Sequence, residues 1–233
     1  MITPQRTVDI ALAILRKDIL QGKYPPFTLL PSERKLSEML SINRQTLRSA
    51  LARLETERLV QPYHGRGIQV LNYKDTASIR ILEYVATSKE LEDFFSLRKN
   101  LAAEAAALAC SQATIHSLKN LRDIAIKQHS NTDIEDFFHG DLRFTTALVH
   151  ASNSLPLRLL FNSFTKILHS QKEAALQSLS NREASLQSYM ALIALIQNRN
   201  PILCRKAILL PTELTPEDQQ QIQSALSREM NAE

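Results

Sequence analysis

Two amphipathic segments follow each other with only the gap Leu40–Asn43 between them, and this spacing restricts the fold more than any other feature of the sequence. Apolar residues recur at three- and four-residue intervals in both segments, as in helices with one buried face. The expected buried positions are Leu36, Met39 and Leu40 in the first segment and Leu47, Ala50, Leu51 and Leu54 in the second. Ser32 and Asn43 precede the segments as favoured capping residues. The pattern therefore predicts two short helices joined by a tight turn.

The flanking residues complete the pattern of a winged helix-turn-helix. Residues 7–21 repeat apolar side chains at helical spacing, and Gly22 favours a helix end there. The segment KYPPFTLLP predicts an extended connection, because proline disrupts helices. After Leu59, the segment VQPYHGRGIQVLNY predicts two short strands joined at a glycine-rich tip. Three helices and a small β-hairpin are expected.

From Thr76 onward the sequence favours helices throughout, because glycine and proline are rare and apolar residues keep a helical spacing. Helix breaks are expected near residues 88–89, 112–113, 130–131, 153–154, 180–181 and 200–201. The predicted fold class is mainly α. Residues 1–74 are expected to form a winged helix-turn-helix domain, and residues 75–233 an all-α helical bundle.

Charge is distributed unevenly along the chain. Residues 1–74 carry 12 Lys and Arg against 6 Asp and Glu, whereas the remaining residues carry 16 against 18. A basic first third beside a nearly neutral remainder indicates that a polyanion binds only the first part. The alternative is a solvated basic surface without a partner.

The bulk composition predicts a cytoplasmic protein with no membrane partner. Hydrophobic residues make up 44% of the chain, enough for a substantial core. The longest apolar run, Met190–Ile196, is far shorter than the roughly 20 residues that span a bilayer. No leader resembling a signal peptide opens the chain. Cys110 and Cys204 show neither metal-type nor redox-type spacing, which indicates a reducing setting.

The second of the two closely spaced helices carries the chemistry of DNA recognition. At about 100° per residue, Gln45 and Arg48 fall opposite the leucine face, and Arg44 projects from the first turn. Two arginines at this spacing can reach successive guanines, each of which offers O6 and N7 to a guanidinium group. Thr46, Asn43 and the amides at the helix start can hold a phosphate. We therefore predict a recognition helix that enters the major groove of double-stranded DNA.

The hairpin tip is a second candidate contact with DNA. Gly65 and Gly67 allow a tight turn, and His64 and Arg66 can enter a minor groove or hold a phosphate. Arg34, at the start of the preceding helix, is placed to meet the backbone. For each of these residues taken alone, the alternative is a solvated surface side chain.

The segment LLPSERKLSEMLSINRQTLRSALARLETERLVQPYHGRGIQV resembles the DNA-binding domain of GntR-type bacterial transcription regulators. The resemblance covers about residues 8–71. It implies that DNA is contacted by Arg34, Arg44, Arg48, His64 and Gly65. Ser41 stands where the family usually has glycine in the turn, a departure that costs modest backbone strain.

The helical remainder is similar to the FadR-type effector domain of the same family over about residues 78–210. The motif Leu97-Arg98-Lys99-Asn100-Leu101, followed by AAEAAALA, places Arg98 at an arginine position that the family commonly keeps inside its ligand cavity. Asp141-Leu142-Arg143-Phe144 is a second match. The resemblance therefore implies an effector site in this half of the chain.

Many relatives bind a metal in this domain with one Asp and three His. Asp141 aligns with the Asp, but Thr145, Tyr189 and Pro211 stand where the histidines would be. A lone carboxylate without imidazoles is a poor transition-metal site. His139 and His150 lie about 16 Å apart on one helix and cannot bind the same ion. We therefore expect no metal and no cofactor.

Loss of the metal points to the metal-free FadR branch, whose best-known member binds fatty acyl-CoA. The late segment CRKAILLPTELTPEDQQQ lacks that branch's usual Gly, Ser and Trp pattern, so another small organic acid is an equal candidate. Arg98 is predicted to bind a carboxylate, with Asp141, Thr145 and Tyr189 around the ligand. The alternative is that Arg98 only pairs with an acidic neighbour such as Glu104 or Asp141.

The sequence thus predicts a ligand-responsive transcription regulator that binds a palindromic operator as a homodimer. No Gly-rich phosphate loop, GxSxG turn or reactive-cysteine setting points to an enzyme, and no catalytic residue is predicted. A constitutive architectural DNA-binding protein with a purely structural helical domain is the main alternative.

Overall fold

The computed structural model of the chain describes residues 4–63, 65–129, 134–173 and 182–230. The chain divides into two compact units, Met1–Val85 and Ala86–Glu233. The first is a helical unit with a small hairpin, and the second is helical throughout its described ranges. The predicted fold class is therefore confirmed.

The first unit contains the expected three helices and hairpin. Its elements are α1 (Pro4–Leu20), α2 (Glu33–Met39), α3 (Arg44–Thr56), β1 (Val60–Tyr63), β2 (Gly67–Val70), α4 (Tyr73–Thr76), a 3-10 turn (Ile79–Ile81) and α5 (Leu82–Val85). β1 and β2 pair antiparallel, with Val60 opposite Val70 and Tyr63 opposite Gly67. Gly22, just after α1, has a positive φ, as expected of a glycine that follows a helix end.

Burial of one face of α3 organises this unit. Leu47 and Leu54 are completely buried, and they share a core with Leu12 and Leu15 of α1. Met39 is an exception to the predicted core, because its side chain is 52% exposed. The buried positions of α2 are Leu36 and Ser37, so at about 100° per residue Met39 lies beyond the edge of the buried face.

Side-chain hydrogen bonds cap the starts of α2 and α3. Asn43 Oδ1 accepts a hydrogen bond from the Thr46 amide at 2.8 Å, and Ser32 Oγ accepts one from the Lys35 amide at 3.3 Å. Ser41 has a φ of 53°, the left-handed conformation for which the family uses glycine. The turn therefore forms with serine, at the cost of that backbone strain.

The first unit extends beyond the boundary expected at residues 74–75. Tyr73, Ala77 and Ile81 pack against its core, and the Thr76 hydroxyl donates a hydrogen bond to the Arg58 carbonyl at 2.8 Å. These contacts explain why the compact unit ends at Val85. The segment after the hairpin is thus part of the winged helix-turn-helix body.

The second unit is a bundle of seven described α-helices. They are α6 (Ser88–Gln112), α7 (Ile115–His129), α8 (Ile134–Ala151), α9 (Leu155–Ser170), α10 (Arg182–Gln197), α11 (Pro201–Leu209) and α12 (Pro216–Met230), with a 3-10 turn at Pro211–Glu213. The breaks expected near 112–113, 153–154 and 200–201 are present. Those near 130–131 and 180–181 fall outside the described residues. No helix in the described ranges is long and apolar enough to cross a membrane.

The bundle core combines small and large side chains. Ala105, Ala106 and Ala109 of α6 are at most 1% exposed, and they share a core with Phe144 of α8 and Ile193 of α10. Small residues let neighbouring helices approach α6 closely, because packed interiors leave little empty space. The helix that carries Arg98 is thus held firmly among its neighbours.

We expect Leu54→Ala to lower the free energy of unfolding of the first unit by about 2–5 kcal/mol, because it leaves a cavity in the core. Urea denaturation of the full chain measures the change. Ile14→Ala, at a position that is 41% exposed on α1, is the control and should cost less than about 1 kcal/mol. Equal losses for the two variants would contradict the assigned core.

Candidate nucleic-acid interface and ligand cavity

The polar side chains predicted to read DNA lie on the solvent side of α3. Arg44, Gln45 and Arg48 are exposed, while the leucine face of the same helix is buried. The first turn of a helix also presents backbone N–H groups that have no partner within the helix. The exposed side of α3 is therefore suited to contact both base edges and phosphates.

One predicted DNA-contacting arginine already has a protein partner. Arg48 Nε donates to Glu33 Oε2 at 2.9 Å, and Arg48 remains 63% exposed at its side chain. This pair joins the start of α2 to α3 and orients the guanidinium group. It also places a carboxylate beside the surface expected to meet a polyanion. Glu33 lies inside the LPSER motif, but its spacing in the sequence does not indicate a pairing with Arg48.

Asn43 and Thr46 have structural roles at the start of α3. The Asn43 side chain caps the helix through the Thr46 amide, and Thr46 is only 8% exposed. The Asn43 side chain and the Thr46 amide, which are expected to hold a phosphate, are bonded to each other in the cap. Their direct contact with a phosphate stays a prediction. Capping fixes the direction of the first turn and thereby positions Arg44.

The remaining predicted DNA contacts lie on α2 and at the hairpin tip. Arg34 is 75% exposed and lies 3.9 Å from Glu38, one turn away. Gly65 has a φ of 65°. The Arg66 guanidinium lies 5.5 Å from the centre of the Tyr63 ring. His64 lies outside the described residues. The hairpin tip therefore carries a cation, Arg66, within cation–π distance of an aromatic ring.

The four residues predicted to bind an effector line one cavity in the second unit. It has a volume of about 390 Å³, within the size range of small-molecule sites. Arg98 comes from α6, Asp141 and Thr145 from α8, and Tyr189 from α10. Pro211, the third of the residues that stand where the metal-binding relatives are expected to have histidines, also lines it. The rest of the wall is mainly apolar and includes Ala102, Phe144, Leu148, Leu192, Ile208, Leu214 and Ile222.

A hydrogen-bonded cluster forms the polar part of the cavity. Arg98 Nη2 donates to Asp141 Oδ2 at 2.7 Å and to Thr145 Oγ1 at 2.9 Å. The Tyr189 hydroxyl donates to Asp141 Oδ1 at 2.7 Å. The Tyr189 ring stacks on Phe144 with ring centres 3.9 Å apart. Both oxygens of the Asp141 carboxylate therefore have protein donors.

Arg98 both pairs with an acidic neighbour and lines the cavity. Its acidic partner is Asp141, while Glu104 pairs with Arg205 at 2.9 Å. Arg98 Nε is buried and has no hydrogen-bond acceptor among the described residues. A buried donor without a partner is costly. An oxygen atom of a bound ligand is a group that can satisfy it.

The described part of the chain holds no group of three or more His, Cys, Asp or Glu side chains placed to bind a metal ion. Asp141 is committed to Arg98 and Tyr189. His139, His150 and a further histidine, His169, line a separate surface groove. His169 comes from a different helix, so spacing along the sequence does not connect it with the other two.

A winged helix-turn-helix joined to an all-helical unit with its own cavity defines a DNA-binding transcription regulator. The model of the family described as "Bacterial regulatory proteins, gntR family" matches residues 8–70, and that of the FCD domain matches residues 93–210. The chain belongs to the gntR family of bacterial regulatory proteins and carries an FCD domain as its effector domain.

Relatives of similar length carry names that agree with this family. The fatty acid metabolism regulator protein of Shewanella frigidimarina is 29% identical over 189 residues, which cover 79% of this chain and 78% of that protein. The protein of the same name from Serratia proteamaculans is 26% identical over 207 residues, which cover 86% and 85%. These names belong to transcription regulators rather than enzymes.

One solved structure supports the fold over nearly the whole chain. It is that of Lar, which controls expression of the Listeria monocytogenes agr system and mediates virulence. The TM-score is 0.54 at 16% identity, and the match covers 95% of this chain and 96% of that one. At this identity the likeness supports the fold alone.

We expect Glu33→Gln to raise affinity for non-specific duplex DNA, because it removes a carboxylate beside the basic surface and releases Arg48. An increase of about threefold at low salt, which fades as salt rises, is the expected result. Fluorescence anisotropy with a random duplex measures it.

Glu92→Gln is the matched control, since it makes the same charge change at an exposed position of α6. It should leave the affinity unchanged. Equal effects of the two substitutions would show that net charge alone is responsible.

Proposed function

We propose that this regulator binds a palindromic DNA operator as a homodimer, and that a small organic metabolite in the cavity of the helical unit changes its affinity for DNA. The observation that carries the proposal is the pair of exposed arginines, Arg44 and Arg48, on a helix whose opposite face is buried. A solvated surface does not require this arrangement at a capped helix start, whereas groove recognition does.

Recognition of DNA divides between base contacts and phosphate contacts. Arg44, Gln45 and Arg48 supply the base contacts, since a guanidinium group matches O6 and N7 of guanine. Arg34, Arg66 and the hairpin tip meet phosphates or the minor groove. Arg48 must leave or share Glu33 to reach a base, so binding exchanges an ion pair for hydrogen bonds to the base. Arg44 has no such competitor recorded in the described structure and is expected to dominate.

A dimer follows from the size of the recognition surface. One α3 helix reads only a few base pairs, which is too little sequence for a specific operator. Two copies related by a twofold axis place two such helices in successive major grooves, roughly 34 Å apart. The operator then has the same symmetry as the protein. The second unit supplies the dimer contacts in this proposal.

The cavity favours a ligand with one polar end and an aliphatic body. Its apolar wall buries hydrocarbon, while the Arg98 side chain at the polar part has a buried Nε without an acceptor among the described residues. Asp141 already neutralises Arg98. A free carboxylate would therefore face a like charge, whereas the carbonyl of an acyl ester or thioester would accept a hydrogen bond without that repulsion. Among the two candidate ligand classes, these contacts favour acyl-CoA over a simple organic acid.

The ligand controls DNA binding by preferring one arrangement of the protein. A metabolite shifts the equilibrium between two arrangements only by the difference in its affinity for them. By linkage, the operator changes the affinity for the metabolite by the same factor. A change of about tenfold in operator affinity needs a coupling free energy of about 1.4 kcal/mol.

We expect Arg44→Ala and Arg48→Ala each to weaken binding to a selected operator by about 1–3 kcal/mol, and to relax selectivity at a guanine position. Anisotropy titrations with the operator and with single-base variants measure both effects. Arg53→Ala is the control, because Arg53 lies on the same helix but pairs with Asp9 of α1 at 2.6 Å. Parent-like binding by both arginine variants would exclude α3 as the reading element.

We expect long-chain acyl-CoA to change the affinity for a bound operator by at least about fivefold, within the usual range of coupling free energies. The free fatty acid of the same chain length should act more weakly. Ala102→Leu fills part of the cavity and should abolish the response while leaving DNA binding intact.

Ser111→Leu is the matched control, since it adds a leucine to the same helix at an exposed position away from the cavity. It should respond like the parent. A response that survives Ala102→Leu would place the ligand elsewhere. Absence of any response at saturating acyl-CoA would exclude this ligand class.

A constitutive DNA-binding protein with a purely structural helical unit is the second candidate. The observation that favours it is the internal pairing of Arg98 with Asp141, which leaves the ion pair satisfied without a ligand. Thermal unfolding across a metabolite panel separates the two functions. A rise in Tm with one chemical class supports the sensor, and no shift with any class supports the constitutive binder.

A further inference from the structure

The two cysteines of the chain meet in the core of the helical unit. Cys110 lies near the end of α6 and Cys204 on α11, 94 residues later, yet their sulfur atoms are only 3.6 Å apart. Both are free thiols. Their sequence positions suggested two isolated cysteines, so this pairing is produced by the tertiary fold.

The separation is close to that needed for a covalent bond. Sulfur atoms in a disulfide lie about 2.05 Å apart, so the gap must shorten by about 1.5 Å. Rotation of the two side chains, with a small adjustment of α6 against α11, can supply such a shift.

The environments of the two thiols suit different chemical roles. A hydrogen bond with Cys204 lowers the pKa of Cys110, and the Arg205 guanidinium acts in the same direction. The same hydrogen bond and burial raise the pKa of Cys204. Cys110 is 7% exposed, whereas Cys204 is completely buried. Thiolate character and access both make Cys110 the first to react with an oxidant.

We propose that Cys110 and Cys204 form an oxidation site, at which a hydroperoxide converts the two thiols to an intramolecular disulfide between α6 and α11. The Cys110 thiol releases its proton, and the thiolate attacks the hydroxyl oxygen of the peroxide. The O–O bond breaks, a sulfenic acid forms, and the alkoxide leaves as an alcohol with the released proton. The Cys204 sulfur then attacks the Cys110 sulfur, the S–O bond breaks, and the hydroxyl leaves as water with the Cys204 proton. Two thiols are oxidised by two electrons, and one hydroperoxide is reduced to an alcohol and water.

The bond would join two walls of the ligand cavity. α6 contributes Arg98 and Lys99 to that cavity, and α11 contributes Ala207 and Ile208. The two helices are already linked by the Lys99 ammonium, which donates to the Leu209 carbonyl at 3.0 Å. A covalent link adds a constraint that salt and ligand cannot break. Oxidation therefore restricts any movement of α6 against α11 and is expected to alter ligand binding.

The test is treatment of the folded full-length protein with hydrogen peroxide, followed by alkylation in denaturant and non-reducing peptide mapping. The expected product is a peptide pair joined through Cys110 and Cys204, reversed by dithiothreitol. The cross-link should raise the Tm of the helical unit by about 5 °C. In Cys204→Ser, dimedone should trap the Cys110 sulfenic acid, while in Cys110→Ser the buried Cys204 should stay reduced.

Three results would overturn the proposal. The first is complete alkylation of both cysteines after peroxide treatment. The second is a cross-link between two chains in place of the intramolecular one. The third is oxidation of Cys204 in the Cys110→Ser variant to the same extent as in the parent protein, which would contradict the proposed order of reaction. Because Cys→Ser changes could loosen the core, the reduced variants are first compared with the parent by thermal unfolding.

Discussion

The burial of one side of α3 against α1 is the interaction on which the DNA-binding unit depends. Leu47 and Leu54 have no exposed surface. Because the apolar side chains are buried, the helix can face solvent only with the side that carries Arg44 and Arg48. The Asn43 cap and the left-handed Ser41 set the angle at which α3 begins. The helix thus has one buried side, which builds the core, and one exposed side, which carries the arginines.

A buried charge plays the corresponding role in the helical unit. Arg98 and Asp141 lie mostly out of solvent, with side chains 17% and 12% exposed. Removing either partner would leave an uncompensated charge, which costs about 3–5 kcal/mol. Thr145 and Tyr189 complete the cluster through hydrogen bonds to Arg98 and Asp141. A hydrogen-bonded ion pair thus organises the polar part of the cavity.

The same helices serve the cavity and the thiol pair. α6 carries Arg98 toward its start and Cys110 toward its end, and its buried alanines allow close approach of the surrounding helices. α11 lines the cavity and supplies Cys204. A ligand and an oxidant would therefore act on the same pair of packed helices. Both signals would have to reach DNA through the unit that contains α3.

The sequence by itself determined the helices of the first unit, its hairpin, the caps at Ser32 and Asn43 and the exposed side of α3, because these depend on residues within a few positions of each other. Resemblance to the family, rather than periodicity, selected Arg98 and its neighbours. Only the tertiary structure decided that Glu33 holds Arg48, that Arg98 pairs with Asp141 across 43 positions, and that Cys110 meets Cys204. Such pairings depend on how helices pack side by side, and a one-dimensional pattern carries no record of which helix faces meet.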